Sequence, residues 1–451
     1  MEHVFRAYDI RGRAGSELNA GFAYELGQAI GSEAQARGVG LIVVGRDGRR
    51  SSPSLATGLR EGLMASGVDV YDAGMLTTPA LYVAAQLSGQ GAGVMVTGSH
   101  NPPADNGFKI VFDGAALYGE AIQSLRRRIE ARDYAVGRGR ERPLECLPEY
   151  LDRLVAGFAL AKPLKVVVDA GSGVAALTAP AALRRLGCEV VEVCCEVDGS
   201  FPVHHPDPLV PANLALLQQR VVETGAALGL AFDGDADRLG VVTDDGEIIW
   251  PDRVMMALAC AVLRCHPGAP IVFDVKCSAR LAQQVRECGG CPELWRTGHS
   301  LIKARRRELD APFAGEFSGH LCFADWFGID DALYAGLRLV DLLARDGRSA
   351  SALFADYRTG VATPELRVAC AAPHALVERA LAELHWPDAR VVTIDGLRVE
   401  WSDGWGLLRA SNTEPCLVLR AEAGDADTLA AIKARLAVAL AQLDPSLKLP
   451  E

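Results

Sequence analysis

Three aspartates alternate along Asp233-Gly-Asp-Ala-Asp237, on a short loop that follows the apolar run Leu228-Gly-Leu-Ala-Phe232. Alternate residues of an extended chain project to the same side, so the spacing allows three carboxylates to converge on one cation. Hard oxygen donors of this kind favour Mg²⁺ or Ca²⁺ over zinc. A solvated acidic turn is the plainer reading of the same string. A calcium-binding EF-hand also begins with alternating acids, but its glycine position is Arg238 here and its closing glutamate position is Asp244, which excludes it. Arg238 beside a metal loop makes chemical sense where a phosphate bridges the cation and the guanidinium.

A second chemical string is Thr97-Gly-Ser-His-Asn-Pro-Pro103. Ser99, between a glycine and a histidine on a tight loop, is placed to act as a nucleophile or to carry a phosphoryl group. One oxygen of such a phosphoserine would fill an open position on the cation of the aspartate loop. Gly315-Glu-Phe-Ser-Gly-His320 offers a carboxylate, a hydroxyl and an imidazole suited to sugar hydroxyls. Arg409-Ala-Ser-Asn-Thr-Glu-Pro415 has the make-up of a phosphate cradle, and Arg398 on the preceding strand is within reach of the same anion. Arg11, Lys276 and His299 carry less weight alone, each having a structural reading of equal standing, and Lys109, closing Asn106-Gly-Phe-Lys109, reads alone as a strand lysine on a solvated face. His204-His205-Pro206 resembles metal ligands but reads more safely as a proline-rich loop.

The elements that must position these loops form a faint threefold repeat. Leu41–Val44, Val166–Val168 and Ile271–Phe273 are apolar runs too short for helices, and each feeds a helical pattern. In every repeat a later strand ends in one of the polar loops: Gly93–Thr97, Leu228–Phe232 and Pro312–Ala314. Ligands of open α/β sheets sit beyond the carboxyl ends of strands, so three such loops predict one composite site. The tail reads differently: strands near Val391–Ile394, Leu397–Trp401, Gly406–Ala410 and Cys416–Glu422, then a helix from Asp425 to Leu443 capped by Asp425 or Asp427. It is expected to form a fourth domain on a hinge near Tyr357–Gly360.

With 49% hydrophobic and 23% charged residues, the 451-residue chain has the balance of a soluble globular protein of several domains. A net charge of −11 disfavours nucleic acid and anionic lipid as partners. The opening MEHVFRAYDIRG has no apolar signal core, and the most apolar stretch, Val254–Leu263, suits a buried helix rather than a membrane span. A cytoplasmic location is expected. All 12 cysteines, Cys288 and Cys291 of the lone CxxC and the adjacent Cys194-Cys195 among them, are accordingly expected to be free thiols.

Taken in order, FRAYDIRG at Phe5–Gly12, VTGSHNPPADNGFKI, FDGDADR, DVKC, TGHSLIK, GEFSGH, DGLRVE and RASNTEP resemble the α-D-phosphohexomutase family, nearest to its bacterial phosphomannomutase/phosphoglucomutase members, over the whole chain. The resemblance implies an α/β protein: three similar α/β domains with mixed sheets, and a smaller C-terminal α+β domain, around a central cleft. The expected limits are 1–145 (phosphoserine), 146–248 (metal), 249–358 (sugar) and 359–451 (phosphate). The resemblance further implies that hexose 1-phosphates and 6-phosphates, of mannose or glucose, are interconverted through a phosphoserine at Ser99 and a 1,6-bisphosphate. It places Mg²⁺ on Asp233, Asp235, Asp237 and the Ser99 phosphate, with glucose or mannose 1,6-bisphosphate as activator. Arg11 and Lys109 take the family's catalytic basic positions, and His320 its proton-transfer position. Tyr8, Arg238, Lys276, His299, Glu316 and Ser318 are implied to contact the substrate. Arg398, Arg409, Ser411, Asn412 and Thr413 are implied to hold the phosphate that does not react. Ala236 stands where the family often has glycine, and Phe317 where near relatives often have methionine. Glucosamine-phosphate mutases usually carry Ser-Ala-Ser-His-Asn-Pro, which this chain lacks. The rivals are a metal-dependent phosphatase and a non-catalytic sugar-phosphate sensor. A monomer acting on small hexose phosphates is the expected state.

Overall fold

The computed structural model describes residues 2–412 and 415–450. The chain divides into two compact units, one of Met1–Val254 with Ser318–Phe354, the other of Met255–Phe317 with Ala355–Glu451.

The first unit holds two sheets built to one plan. In one sheet the strand Leu41–Arg46 lies between its parallel neighbours Asp69–Met75 and Gly93–Val96, and Asp105–Phe112 joins antiparallel to Gly93–Val96. In the other, Lys165–Asp169 lies between parallel Glu189–Val193 and Leu228–Phe232, and Leu239–Thr243 joins antiparallel. The central strands are buried on both faces, which is why their sequences are unbroken apolar runs rather than alternating ones. The same plan recurs in the second unit, where Pro270–Asp274 pairs in parallel with Cys291–Trp295 and with Phe313–Gly315.

The second unit also holds an antiparallel sheet in which Cys416–Ala423 and Gly404–Ala410 are central. The helix Ala426–Leu443 covers it through Ile432, Leu436 and Leu440. Asp425 is its cap, accepting the amide N–H of Thr428 at 2.8 Å. Strands Val361–Ala362 and Leu366–Ala369 and the helix Pro373–Glu383 complete this region. Four α/β and α+β regions follow one another along the chain, and no barrel closes among the described residues.

Two expectations need correction. The thiols are not all free: Cys260, on the helix Pro251–Cys265, is bonded to Cys288 at the end of the helix Ala279–Glu287, 28 residues away in sequence. Cys291 stays a free exposed thiol, so the CxxC pair is not itself bridged. The helix expected after Val166–Val168 is broken: a 3₁₀ turn over Val174–Leu177 precedes the α-helix Ala179–Arg185, because Pro180 suits a helix start and not a helix interior. No helix among the described residues is long and apolar enough to cross a membrane.

Candidate active site

The loop bearing Ser99 leaves the buried strand Gly93–Val96 and turns sharply; Ser99 itself has φ 49°. Such a left-handed serine persists only where its surroundings over-determine it. Arg49 does much of that. Its guanidinium, fully buried, donates to the carbonyl oxygens of Ser99 (2.6 Å), Asn101 (2.6 Å), Pro102 (2.6 Å) and Asp105 (3.1 Å). Gly98 packs against the flat of that group, and a Cβ there would lie 2.6 Å from Arg49 Cζ. Asp47 holds the loop from the other side, accepting from Thr97 Oγ1 (2.8 Å) and the amide of Gly98 (3.2 Å). Arg11 adds bonds to the Asn101 side chain (2.6 Å) and the Gly98 carbonyl (3.2 Å), anchored by Asp9 at 2.6 Å.

The aspartate loop meets this serine. Ser99 Oγ donates to Asp233 Oδ2 at 2.6 Å, and Gly234, lacking a side chain, lets the backbone approach the Ser99 carbonyl. Asp233 Oδ1 accepts the amides of Asp237 (3.0 Å) and Arg238 (3.1 Å). Lys109, on the strand Asp105–Phe112, donates to Asp235 Oδ2 at 2.6 Å and also pairs with Asp237. Thr78 Oγ1 donates to Asp235 as well. All three aspartates are inaccessible to solvent, and ligand oxygens from the three lie within 4.8 Å of one another.

Charge in this cluster follows from burial. Asp233 is pushed well above the carboxylate range by burial and by the charges of Asp235 and Asp237. Burial acts the same way on Asp235, but Lys109 outweighs it and holds that carboxyl low. Burial also works against the Lys109 charge, and Asp235 and Asp237 overcome it, keeping the amine well above its usual value. One oxygen of Asp235 and one of Asp237 are buried without a hydrogen-bond partner among the described residues. An orphaned carboxylate oxygen in the interior is costly, and two of them within a trio of carboxylates fit a hard divalent cation.

Two imidazoles stand by these loops, one beside the serine and one beside the aspartates. His100 Nδ1 lies 3.1 Å from Ser99 Oγ, and burial, reinforced by Arg238, Arg11 and Lys109, holds its pKa well below that of a free histidine. His320, with 7% exposure, accepts from Arg238 Nε at 3.1 Å and presents Nδ1 to Asp330 at 3.2 Å. Tyr8 is half-buried beside Asp9, and Ser318 is buried in the turn before His320.

The second unit carries a separate group of polar side chains. Asp274, at the end of the strand Pro270–Asp274, accepts from the Phe317 amide (2.9 Å), Thr297 Oγ1 (3.0 Å) and Cys277 Sγ (3.1 Å). Lys276 donates to Glu365 at 2.6 Å and lies 3.9 Å from Asp274. Glu316 accepts the amide of Gly298 at 2.6 Å, next to half-buried His299. Burial, with Asp274 adding, raises Glu316 to about 7. Arg409 Nε pairs with Asp395 at 3.0 Å, while its buried Nη2 has no hydrogen-bond partner among the described residues and is the donor open to a further acceptor. Ser411 is buried and Asn412 half-buried just beyond it; Thr413 lies outside the described residues.

Arg398 lies on the strand Leu397–Glu400 of the antiparallel sheet. Its guanidinium donates to the carbonyls of Val275 and Cys277 (2.8 Å for the latter) and to Glu400 (2.9 Å), stacked 3.9 Å over Trp405. It is 2% exposed, with Nε and Nη1 engaged by these partners. Arg49, Asp47, His100, Asp274 and Glu365 are among the polar residues of these sites that carry no signal of their own in the sequence. The Gly45-Arg-Asp-Gly-Arg49 turn was the available signal for the first two, since it ends a repeat strand just as the other polar loops do.

Four descriptions of the phosphoglucomutase/phosphomannomutase family match in order: alpha/beta/alpha domain I over residues 2–135, domain II over 148–246, domain III over 250–359 and the C-terminal domain over 365–439. A phosphomannomutase/phosphoglucomutase of Pseudomonas aeruginosa is 48% identical over 450 residues, covering 99% of this chain and 97% of its own length. A phosphoglucomutase of Neisseria gonorrhoeae is 46% identical over 437 residues, covering 95% and 94%. Among solved structures, a phosphoglucomutase/phosphomannomutase family protein from Burkholderia thailandensis superposes with a TM-score of 0.95 at 48% identity, covering all of both chains.

Proposed function

The chain belongs to the phosphoglucomutase/phosphomannomutase family, and from that premise we infer that it interconverts hexose 1-phosphates and hexose 6-phosphates of glucose and mannose. It is a phosphohexomutase, an isomerase. Phosphorylated Ser99 gives its phosphoryl group to the free 1- or 6-hydroxyl of the sugar. The resulting 1,6-bisphosphate turns end for end while bound and returns its other phosphoryl group to Ser99. The same bisphosphate, added in trace, serves as activator by phosphorylating an idle Ser99.

Supporting this reading above all is the 2.6 Å contact between Ser99 Oγ and Asp233, which sets the phosphoryl-bearing oxygen against the aspartate trio. Asp233, Asp235 and Asp237 would hold Mg²⁺ together with an oxygen of the Ser99 phosphate. The cation would neutralise charge on the transferring group. Arg11 and Arg49 fix the loop so that Oγ stays aligned, and Lys109 adds a positive charge beside the aspartates. His320, set between Arg238 and Asp330, is the group we assign to moving the sugar hydroxyl proton. Arg238 and Tyr8 contact substrate on this unit, along with Ser318.

In the second unit, Glu316 accepts sugar hydroxyls with Lys276 and His299 beside it. Arg409 takes the phosphate that does not react, with the hydroxyl and amide groups of Ser411, Asn412 and Thr413. Arg398, on the adjacent strand, completes the group assigned to that phosphate.

Turnover of glucose 1-phosphate and of mannose 1-phosphate, measured side by side with Mg²⁺ and trace 1,6-bisphosphate, tests the proposal. Formation of both 6-phosphates is expected. Release of inorganic phosphate in place of isomerisation would make the protein a phosphatase.

A further inference from the structure

A cluster of a different chemistry lies on the first unit. Asp169 is the last residue of the strand Lys165–Asp169, and Cys194 follows directly on the parallel strand Glu189–Val193, whose Val193 is in register with Asp169. His204 comes from the loop beyond. One ligand atom from each, a carboxylate oxygen, a thiol sulfur and a ring nitrogen, lies within 4.8 Å of the others. Asp169 is 1% exposed; Cys194 and His204 are half-buried.

The histidine ring fixes how these groups face one another. His204 Nδ1 sits 3.1 Å from the carbonyl oxygen of His205, a contact that requires Nδ1 to carry the hydrogen. In the neutral ring Nε2 then bears a lone pair, and it faces both carboxylate oxygens of Asp169, at 3.0 and 3.2 Å. Two electron-rich groups at that distance need a positive charge shared between them. A proton on Nε2 is one solution and a metal ion is the other. The metal solution uses Cys194, whose Sγ makes no hydrogen bond among the described residues, whereas neighbouring Cys195 Sγ is occupied by the carbonyls of Val193 (3.3 Å) and Val168 (3.5 Å).

The backbone supports the same arrangement. Cys194 adopts φ 47°, and its carbonyl accepts the amide of Ser172 at 2.8 Å, which fixes the turn that carries the thiol. Asp169 Oδ1 accepts the amide of Gly171 at 2.9 Å. A histidine whose far nitrogen donates to a carbonyl, and a carboxylate held by an amide, are the outer contacts that orient metal ligands. Thiolate, imidazole and carboxylate together suit zinc rather than magnesium, with one position left for water.

We propose that Asp169, Cys194 and His204 form a binding site for a zinc-type divalent cation, separate from the aspartate trio. Bound metal would close a clasp between two strand ends and the 204–208 loop. The clasp sits next to the reactive serine, because His205 Nε2 contacts the carbonyl of His100 and Pro206 packs against Gly171 and Gly234.

The test uses the full chain, reduced and stripped with chelator, then given excess Mg²⁺ so that the aspartate trio is filled. Co²⁺ is titrated in while thiolate-to-cobalt charge-transfer absorption is followed. A stoichiometric band is expected in the parent and in Cys291→Ser, displaced by Zn²⁺ and absent in Cys194→Ser and His204→Ala. Zn²⁺ should raise the thermal midpoint of the parent and leave that of Cys194→Ser unchanged. Absence of the band from the parent, or its persistence in Cys194→Ser, overturns the proposal and leaves His204 as a protonated partner of Asp169.

Discussion

Replacing Ser99 by alanine removes the oxygen that carries the phosphoryl group in the proposed cycle. Turnover should fall to background, and label from ³²P-bisphosphate should no longer enter the protein; normal labelling of Ser99→Ala would reject the assignment. Arg49 works at one remove. Lysine cannot reproduce bonds to four carbonyls, so Arg49→Lys should lower kcat on the order of 100-fold with little change in KM, the effect of a misaligned nucleophile. A matched fall in folding stability with kcat intact would make Arg49 a packing residue only. Arg409→Ala should weaken substrate binding by about 1.5–3 kcal/mol, as for a lost charged hydrogen bond, read from dissociation constants of the 6-phosphate. Ser99 and the aspartates were legible because their types and spacing have few other uses. Arg49 was not, because its partners lie 50 to 56 residues away and a buried arginine has no local pattern. Arg398 shows the converse limit: a strand position beside a phosphate-like string cannot say what packs over it.

At the scale of elements, the strands were readable from their apolar runs, and the short connections were not. Ala236 shows why turn geometry matters. It sits at φ 67°, where a Cβ is penalised and glycine is not. Ala236→Gly should therefore stabilise the aspartate loop by about 1 kcal/mol in urea unfolding; a loss of stability would mean that the methyl contacts outweigh the strain. The Lys276–Glu365 pair fixes a different kind of connection, between the first parallel strand of the second unit and its antiparallel sheet. Burial alone would raise Glu365, but Lys276 prevails and lowers it to about 2. A depressed carboxyl contributes stability above its unfolded pKa near 4.3 and loses it as pH falls from there through about 2. The second unit should accordingly lose on the order of 3 kcal/mol across that window. Glu365→Gln should flatten the acid limb of its unfolding curve, and an unchanged limb would show that the pair adds nothing.

For the molecule as a whole, the buried negative charge of the aspartate trio makes folding and metal binding a single equilibrium. At free Mg²⁺ a hundred times its dissociation constant, the unfolding free energy should rise by about 2.7 kcal/mol, and chelator should remove both the rise and the activity. Asp235→Asn should cancel most of the gain; an undiminished response would place the cation elsewhere. The threefold plan of the parallel sheets was visible in outline because each repeat ends in a polar loop, while the joining of Cys260 to Cys288 was hidden by the expectation of a reducing compartment. That bond has a consequence for anyone handling the protein. Where thiols are kept reduced the chain is an open line; after exposure to air it contains a ring spanning 28 residues. Material lysed into alkylating agent and material aged on the bench should separate on a non-reducing gel, and the aged form should unfold later, so its age in oxygen becomes part of its recorded stability.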